Sequence, residues 1–163
     1  MQDLKLHLFP ELLFVFFASL IAVLSAHVVE AAGFPPCKLC YYQRYFYYAL
    51  FVVSGVAILF RRKLIFFILI VALLLAEFSV AFFHAGVEMK VFTYESDCAV
   101  EALPLAEIDS IESILEDDKI VRCDEPQIVL YGLSMAAWNA LFAILILVIF
   151  IYLAYAEKRK THR

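Results

Sequence analysis

The sequence predicts an all-α membrane protein, a four-transmembrane-helix bundle in which a long external loop carries a short amphipathic helix. Hydrophobic residues make up 65% of its 163 residues, against roughly 45–50% in soluble domains, and the mean hydropathy is +0.88. A membrane-spanning helix needs about 20 mostly apolar residues, and four segments approach that length: 12–29, 41–60, 64–83 and 133–155. What remains is too short for a second core, so we expect residues 1–163 to form one domain.

The first span is also open to interpretation as a cleaved signal peptide, because Lys5 precedes it. Its apolar run is longer than the roughly 7 to 15 residues of such a segment, and Phe and Leu recur along it. These features favour a retained helix. The mass of the mature N-terminus distinguishes the two interpretations.

Basic residues in the short connections predict the orientation, because Lys and Arg near helix ends stay on the cytoplasmic side. Residues 61–63 read Arg-Arg-Lys, and basic residues also follow the fourth span at 158–160 and 163. Both termini are therefore expected in the cytoplasm, with external loops at 30–40 and 85–132. The second loop holds twelve acidic residues and three basic ones, a charge that argues against a nucleic-acid partner. Membrane lipid is the expected surrounding.

All four cysteines, Cys37, Cys40, Cys98 and Cys123, fall in these external segments. Extracytoplasmic compartments are oxidising, so two disulfides are expected, and four cysteines allow three pairings. The short spacing favours Cys37 with Cys40, which leaves Cys98 with Cys123. A bridge closing the longer loop could be purely structural, since it would contribute roughly 3 kcal/mol by restricting the unfolded chain.

The Cys37–Cys40 pair is typical of redox chemistry, because a bridge across two residues closes almost no loop and this spacing suits a dithiol that switches state. Pro35 and Pro36 precede it and suit a helix start. The cysteines should then lie in the first turn of the second span, where free N–H groups and the helix dipole favour a thiolate.

Arg44 lies four residues after Cys40, on the same helix face, and its charge would lower a thiol pKa further. Alternatively, Arg44 extends to the lipid headgroups. A zinc site is another interpretation of the two cysteines, but it needs further ligands, which His27, His84 or the loop cysteines would have to supply. We expect no metal.

The order of these features resembles the DsbB family of bacterial disulfide-bond formation proteins, over nearly the whole chain. The motifs that carry the resemblance are Pro36-Cys-x-x-Cys40, Gln43-Arg44, His84 at the end of the third span, the two loop cysteines, and Gly132-Leu-Ser-Met-Ala-Ala-Trp138-Asn139. The resemblance implies a quinone-dependent protein-disulfide oxidoreductase of the bacterial inner membrane. Its partner would be a soluble periplasmic DsbA-like oxidase of the thioredoxin fold.

The resemblance also assigns roles to the four cysteines. The Cys98–Cys123 bridge would accept electrons from the reduced partner, with Cys98 forming the mixed disulfide. Cys123 would pass the electrons to Cys37, and Cys40, as a thiolate, would meet the quinone.

The same resemblance places Arg44 and His84 with Cys40 at the quinone site, the quinone being ubiquinone or menaquinone. The charge of Arg44 could stabilise both the thiolate and the negative charge that grows on the quinone oxygen. A histidine at a helix end is, in many proteins, only a hydrogen-bonded interfacial residue, and this interpretation of His84 stays open.

Two other function classes remain open at this level. The protein could be a non-enzymatic four-span protein with structural external disulfides, or a redox protein that passes electrons outward. Glu77 lies inside the third span, where a carboxyl group either takes part in proton transfer or packs as a hydrogen-bonded acid. Apolar residues between 103 and 115 recur near helical spacing and predict the amphipathic loop helix.

Overall fold

The computed structural model describes residues 10–60, 63–94 and 122–161, and these are mostly helical. Each of the four helices is long and apolar enough to cross a membrane, which confirms the predicted fold class. The helices are α1 (Pro10–Ala31), α2 (Lys38–Phe60), α3 (Lys63–Glu88) and α4 (Met135–Thr161). Cys98 and the predicted amphipathic loop helix lie outside the described residues.

The helices run past the apolar segments of the sequence at several ends. Helix α3 continues beyond residue 83 to Glu88, and α2 already begins at Lys38. Hydropathy marks the part of a helix that is suited to lipid, whereas backbone hydrogen bonding continues into polar surroundings. These polar extensions of α2 and α3 carry Cys40 and His84.

The bundle closes around a buried apolar cluster. Helix α1 packs on α2, α2 on α3 and α3 on α4, and α1 also contacts α4. Small side chains lie where helices approach each other, as is usual in membrane bundles: Ser54, Ala57, Ala81 and Ala143 are almost completely buried. The larger members of the cluster include Leu50, Ile70, Leu74, Ile146 and Phe150.

A two-stranded hairpin precedes α4, and the pattern of the sequence did not predict it. Strand β1 (Val129–Leu130) pairs antiparallel with β2 (Leu133–Ser134). The two turn residues, Tyr131 and Gly132, have φ values of 52° and 82°, as the favoured two-residue hairpin turn requires.

The fourth helix begins at Met135, two residues after residue 133, the approximate start predicted for the fourth span. Leu133 is apolar, and hydropathy alone does not separate a short strand from a helix. Ser134 caps α4, because its Oγ accepts a hydrogen bond from the backbone N–H of Ala137 at 3.2 Å.

One end of the bundle gathers the end of α1, the start of α2, the end of α3 and the start of α4. The segment 122–134, which precedes α4, lies over this end. Trp138 Nε1 donates to the carbonyl of Leu130 at 3.0 Å, and Gln127 Nε2 donates to the carbonyl of Pro35 at 2.8 Å. The candidate site residues lie at this end.

Candidate functional site

Cys37 and Cys40 lie at the start of α2, as the sequence predicts. Cys37 is the residue before the helix, and its Sγ accepts a hydrogen bond from the backbone N–H of Cys40 at 3.4 Å. The two Sγ atoms are 3.0 Å apart, and both residues are free thiols. Cys37 thus occupies the capping position, and the two sulfurs can bond with little movement.

Cys123 packs against this pair. It is buried together with Cys37, Leu39 and Val87, and its thiol makes a hydrogen bond with that of Cys37. Three of the four cysteines therefore meet at one place. The spacing of the cysteines alone did not predict this contact.

The protonation of Cys37 differs from the expectation of a thiolate. The hydrogen bond from Cys123 lowers the pKa of Cys37, but the hydrogen bond with Cys40 and burial outweigh it and raise the pKa to about 12. The hydrogen bond with Cys37 and burial likewise raise the pKa of Cys123. Cys37 and Cys123 are therefore neutral thiols when reduced, because the stabilisation of a thiolate by the helix terminus is smaller than the opposing effects of burial and the neighbouring sulfur.

An ion-pair cluster fixes the segment that carries Cys123. Asp124 pairs with Lys90, which follows α3, at 2.6 Å, and with Arg122 at 2.9 Å. Hydrogen bonds from Arg122 and then Lys90 hold the pKa of Asp124 well below its ordinary value. A lowered carboxyl pKa means that this pairing persists at neutral and mildly acidic pH and is lost only as pH falls through the lowered value.

We expect Asp124→Asn to loosen this segment and expose Cys123, because an amide cannot pair with two cations. In the reduced protein, Cys123 should then react several-fold faster with a thiol reagent, measured by mass spectrometry of the labelled peptide. Glu125→Gln is the matched control, since Glu125 pairs with Arg122 at 3.6 Å and the change removes the same charge beside the cluster. Equal Cys123 rates in wild type and Asp124→Asn would contradict the anchoring role.

Arg44 lies inside the protein, where only 8% of its side chain is exposed, so the alternative in which it extends to the headgroups is not supported. Its Nη1 donates to Glu30 Oε2 at 2.6 Å, and its Nη2 donates to the carbonyl of Ala26 at 3.4 Å. The ring of Tyr41 lies 5.6 Å from the guanidinium. Arg44 Nε is buried and has no hydrogen-bond partner among the described residues.

His84, at the end of α3, lies beside the dithiol. Its Nε2 is 3.5 Å from Cys37 Sγ and 3.8 Å from Glu88 Oε1. Ligand atoms of Cys37, Cys40 and His84 all lie within 4.8 Å of one another, a group that could hold a metal ion. The zinc interpretation thus has three candidate ligands here, whereas His27 bonds to Tyr48 at 2.7 Å.

Several polar residues of the site were not predicted from the sequence. They are Glu30 as the partner of Arg44, Glu88 beside His84, and Tyr47, which joins Gln43 and Asn139 in a buried hydrogen-bonded group. The signal for Glu88 was its position four residues after His84, on the same helix face. No comparable local signal links Glu30 to Arg44, since the two residues lie on different helices.

A cavity of about 390 Å³ opens between the helices at this end. Cys37, Cys40, Arg44 and His84 all line it, and apolar residues of α1 and α4 form other parts of its wall. Its volume lies within the usual range for small-molecule sites, about 300–1,000 Å³, and an apolar wall with a few polar groups is typical of them. The structure thus brings together the dithiol, a buried arginine and a histidine at one cavity.

This arrangement defines a multi-pass membrane protein with a buried dithiol site. The sequence matches the profile of the family described as "Disulfide bond formation protein DsbB" over residues 10–153. The chain belongs to the DsbB family, whose members are membrane oxidoreductases of disulfide-bond formation. It is also similar to "Uncharacterized protein RP370" of Rickettsia prowazekii (strain Madrid E), with 28% identity over 134 residues, 80% of this chain and 78% of that protein.

Proposed function

We propose that this protein reoxidises a soluble periplasmic DsbA-like oxidase of the thioredoxin fold and delivers the electrons to a membrane quinone, ubiquinone or menaquinone. The observation that carries the proposal is the cavity that Cys40, Arg44 and His84 share among apolar helices. A site that accepts a lipid-soluble oxidant must open among such helices and also reach the dithiol.

The residues that line this cavity fit a quinone. Arg44 Nε is a buried donor without a partner among the described residues, and a carbonyl oxygen would satisfy it. Buried donors that lack a partner are costly, so an acceptor at this position is favourable. When bound, the quinone would be the oxidant, since it takes up the two electrons and two protons that the dithiol loses. Arg44 would hold the carbonyl oxygen of the quinone beside Cys40, and the ring of His84 would form part of the wall next to it.

The thiol chemistry proceeds by exchange, one bond formed for each one broken. Cys98 forms a mixed disulfide with the partner and releases Cys123. Cys123 then attacks Cys37 of the Cys37–Cys40 disulfide, and Cys40 leaves as a thiolate at the cavity. The second thiol of the partner resolves the mixed disulfide and frees Cys98, which attacks Cys123, so that the Cys98–Cys123 bridge re-forms and Cys37 leaves as a thiolate. The contact between the Cys123 and Cys37 thiols supports this order, because the attacking and attacked sulfurs are already neighbours.

Energetics explain why a membrane oxidant is needed. A partner of the DsbA type has a potential of roughly −120 mV, and 30 mV in a two-electron step corresponds to about 1.4 kcal/mol. Few protein disulfides are oxidising enough to regenerate such a partner, whereas a quinone in the bilayer is a sufficient sink. The dithiol therefore belongs where the water-borne donor and the membrane-borne acceptor can both reach it.

We further propose that the site faces the periplasm across the bacterial inner membrane, with both termini in the cytoplasm. The basic residues at 61–63 and 158–163 support this orientation, since they connect or follow helix ends opposite the site. The close contact of three cysteines weighs against the alternative of purely structural external disulfides.

The proposal is tested with right-side-out membrane vesicles that contain the protein. Reduced thioredoxin-fold partner, added outside, should become oxidised while the quinone is consumed in an equal molar amount, followed by thiol titration and quinone absorbance. Because the partner cannot cross the membrane, inside-out vesicles should show no reaction. If added quinol reduces the oxidised partner and the forward reaction does not occur, electrons flow in the opposite direction to the one proposed. No exchange in either kind of vesicle would reject the proposal.

A further inference from the structure

A chain of hydrogen bonds runs from the middle of α3 to the dithiol, crossing α4 and α2 on the way. It links Glu77 to Asn139, Asn139 to Gln43, and Gln43 to His84. We propose that Glu77 is a positioning residue: through this chain it fixes His84 in the tautomer whose Nε2 carries the proton, aimed at Cys37. The thiol exchange proposed above gives Glu77 no other role.

The direction of the chain is set at Glu77, which is completely buried. Its Oε1 lies 2.6 Å from Asn139 Nδ2, and a carboxyl oxygen that carries no proton only accepts hydrogen bonds. Oε2 has no partner among the described residues and is the oxygen that carries the proton when the group is a neutral acid. The amide nitrogen of Asn139 must therefore face Glu77. Tyr47 supports the same orientation, because its hydroxyl donates to Asn139 Oδ1 at 2.7 Å.

The orientation is then passed on to Gln43. The second hydrogen of Asn139 Nδ2 is donated to Gln43 Oε1 at 3.1 Å, so the oxygen of the Gln43 amide is committed to α4. Its nitrogen must face the other way, where it lies 3.1 Å from His84 Nδ1. An amide nitrogen donates, so Nδ1 accepts, and in a neutral imidazole the proton is then on Nε2.

The surroundings of His84 Nε2 agree with this assignment independently. Nε2 faces Cys37 Sγ at 3.5 Å and Glu88 Oε1 at 3.8 Å, two groups that accept a hydrogen bond. The inference rests here on the proposed function, in which this N–H stabilises Cys37 Sγ when the Cys37–Cys123 disulfide breaks and negative charge develops on Cys37 as the leaving sulfur. His84 contacts the reacting sulfur, and Glu77 acts through it.

The same tautomer disfavours zinc at the dithiol. A metal ligand must offer a bare ring nitrogen, and Nε2, the nitrogen nearest the sulfurs, is protonated in this arrangement. Binding zinc through Nε2 would require the amides of Gln43 and Asn139 to turn over, which would bring Asn139 Oδ1 against Glu77 Oε1 and remove the acceptor of the Tyr47 hydroxyl. Glu77 thus favours thiol chemistry over metal binding.

Nitrogen NMR of the full-length protein in lipid nanodiscs, labelled with ¹⁵N-histidine, tests the inference, with the His84 signals identified by their loss in His84→Gln. Wild type should show one neutral tautomer, protonated at Nε2. In Glu77→Gln the new amide can either accept or donate, so His84 should become a mixture of tautomers. The matched control is Glu11→Gln, the same change at another buried carboxyl group, which should leave the His84 signals unchanged.

A second variant, Asn139→Leu, breaks the chain while leaving Glu77 in place and should give the same mixture, with no further change in the double variant. Both variants should slow the alkylation of Cys37 several-fold, provided that circular dichroism shows an intact helical bundle. A wild-type spectrum with the proton on Nδ1, or an unaltered spectrum in folded Glu77→Gln, would overturn the inference. Neither measurement uses quinone or partner, so failure here is distinct from failure of the proposed function.

Discussion

Cys40→Ser should abolish quinone reduction completely while leaving the four-helix bundle folded. Cys40 is the thiol that the proposed path leaves facing the cavity, and a serine hydroxyl neither forms a disulfide nor ionises near neutral pH. Cys40 is only partly buried, and serine differs from it by one atom, so the packing cost is small. The measurement is quinone consumption by the purified variant with reduced partner, with circular dichroism as the check on folding.

The structure also predicts which disulfide should accumulate in Cys40→Ser. Cys37 has lost its close partner at 3.0 Å, and its remaining sulfur neighbour among the described residues is Cys123. Mild oxidation should therefore trap a Cys37–Cys123 disulfide, identified by mass spectrometry of the linked peptides. Cys37→Ser is the matched control, because it removes the shared sulfur and should trap no such bridge. Undiminished quinone turnover in Cys40→Ser would end the proposed mechanism.

The four spans and the position of the dithiol were predictable because both are set by short-range features. Twenty apolar residues identify a membrane helix wherever it packs, and Pro35 and Pro36 mark the start of α2 in the sequence itself. The quinone-site roles of His84 and Arg44 were assigned through the resemblance to a family, whereas the position of Arg44 beside the dithiol followed from its spacing of four residues from Cys40.

The connections between helices were not predictable, because they depend on how α1 to α4 pack. Glu30 meets Arg44 from another helix, and Asn139 lies between Glu77 and Gln43 only when three helices come together. The predicted protonation of Cys37 fails for the same reason: the helix terminus was visible in the sequence, whereas the burial beneath Cys123 was not. The hydrogen-bonded chain of Glu77, Asn139 and Gln43 had a single indication in the sequence, namely that polar residues occur inside apolar spans.

Arg44→Leu should slow quinone reduction roughly a hundredfold, the cost of losing one donor to a developing oxyanion, and should weaken the apparent quinone affinity. Thiol exchange between Cys98 and the partner should persist, since the Arg44 guanidinium lies at the cavity, whereas Cys98 belongs to the external loop between the third and fourth helices. Stopped-flow measurement of each step separates the two effects. Arg44→Lys keeps the charge but lacks the unpartnered Nε. Its rate of quinone reduction should therefore lie between those of Arg44→Leu and wild type.

The ion pair with Glu30 provides the decisive control for this prediction. Glu30→Gln preserves the shape and an acceptor for Arg44 Nη1, which lies 2.6 Å from the carboxylate, but it removes the opposing charge. If Arg44 acts through its charge on Cys40 and the quinone, Glu30→Gln should retain quinone reduction, because the cation is then less neutralised. If the ion pair merely braces α1 against α2, both variants should lose quinone reduction and thiol exchange alike, and the role assigned to Arg44 would be wrong.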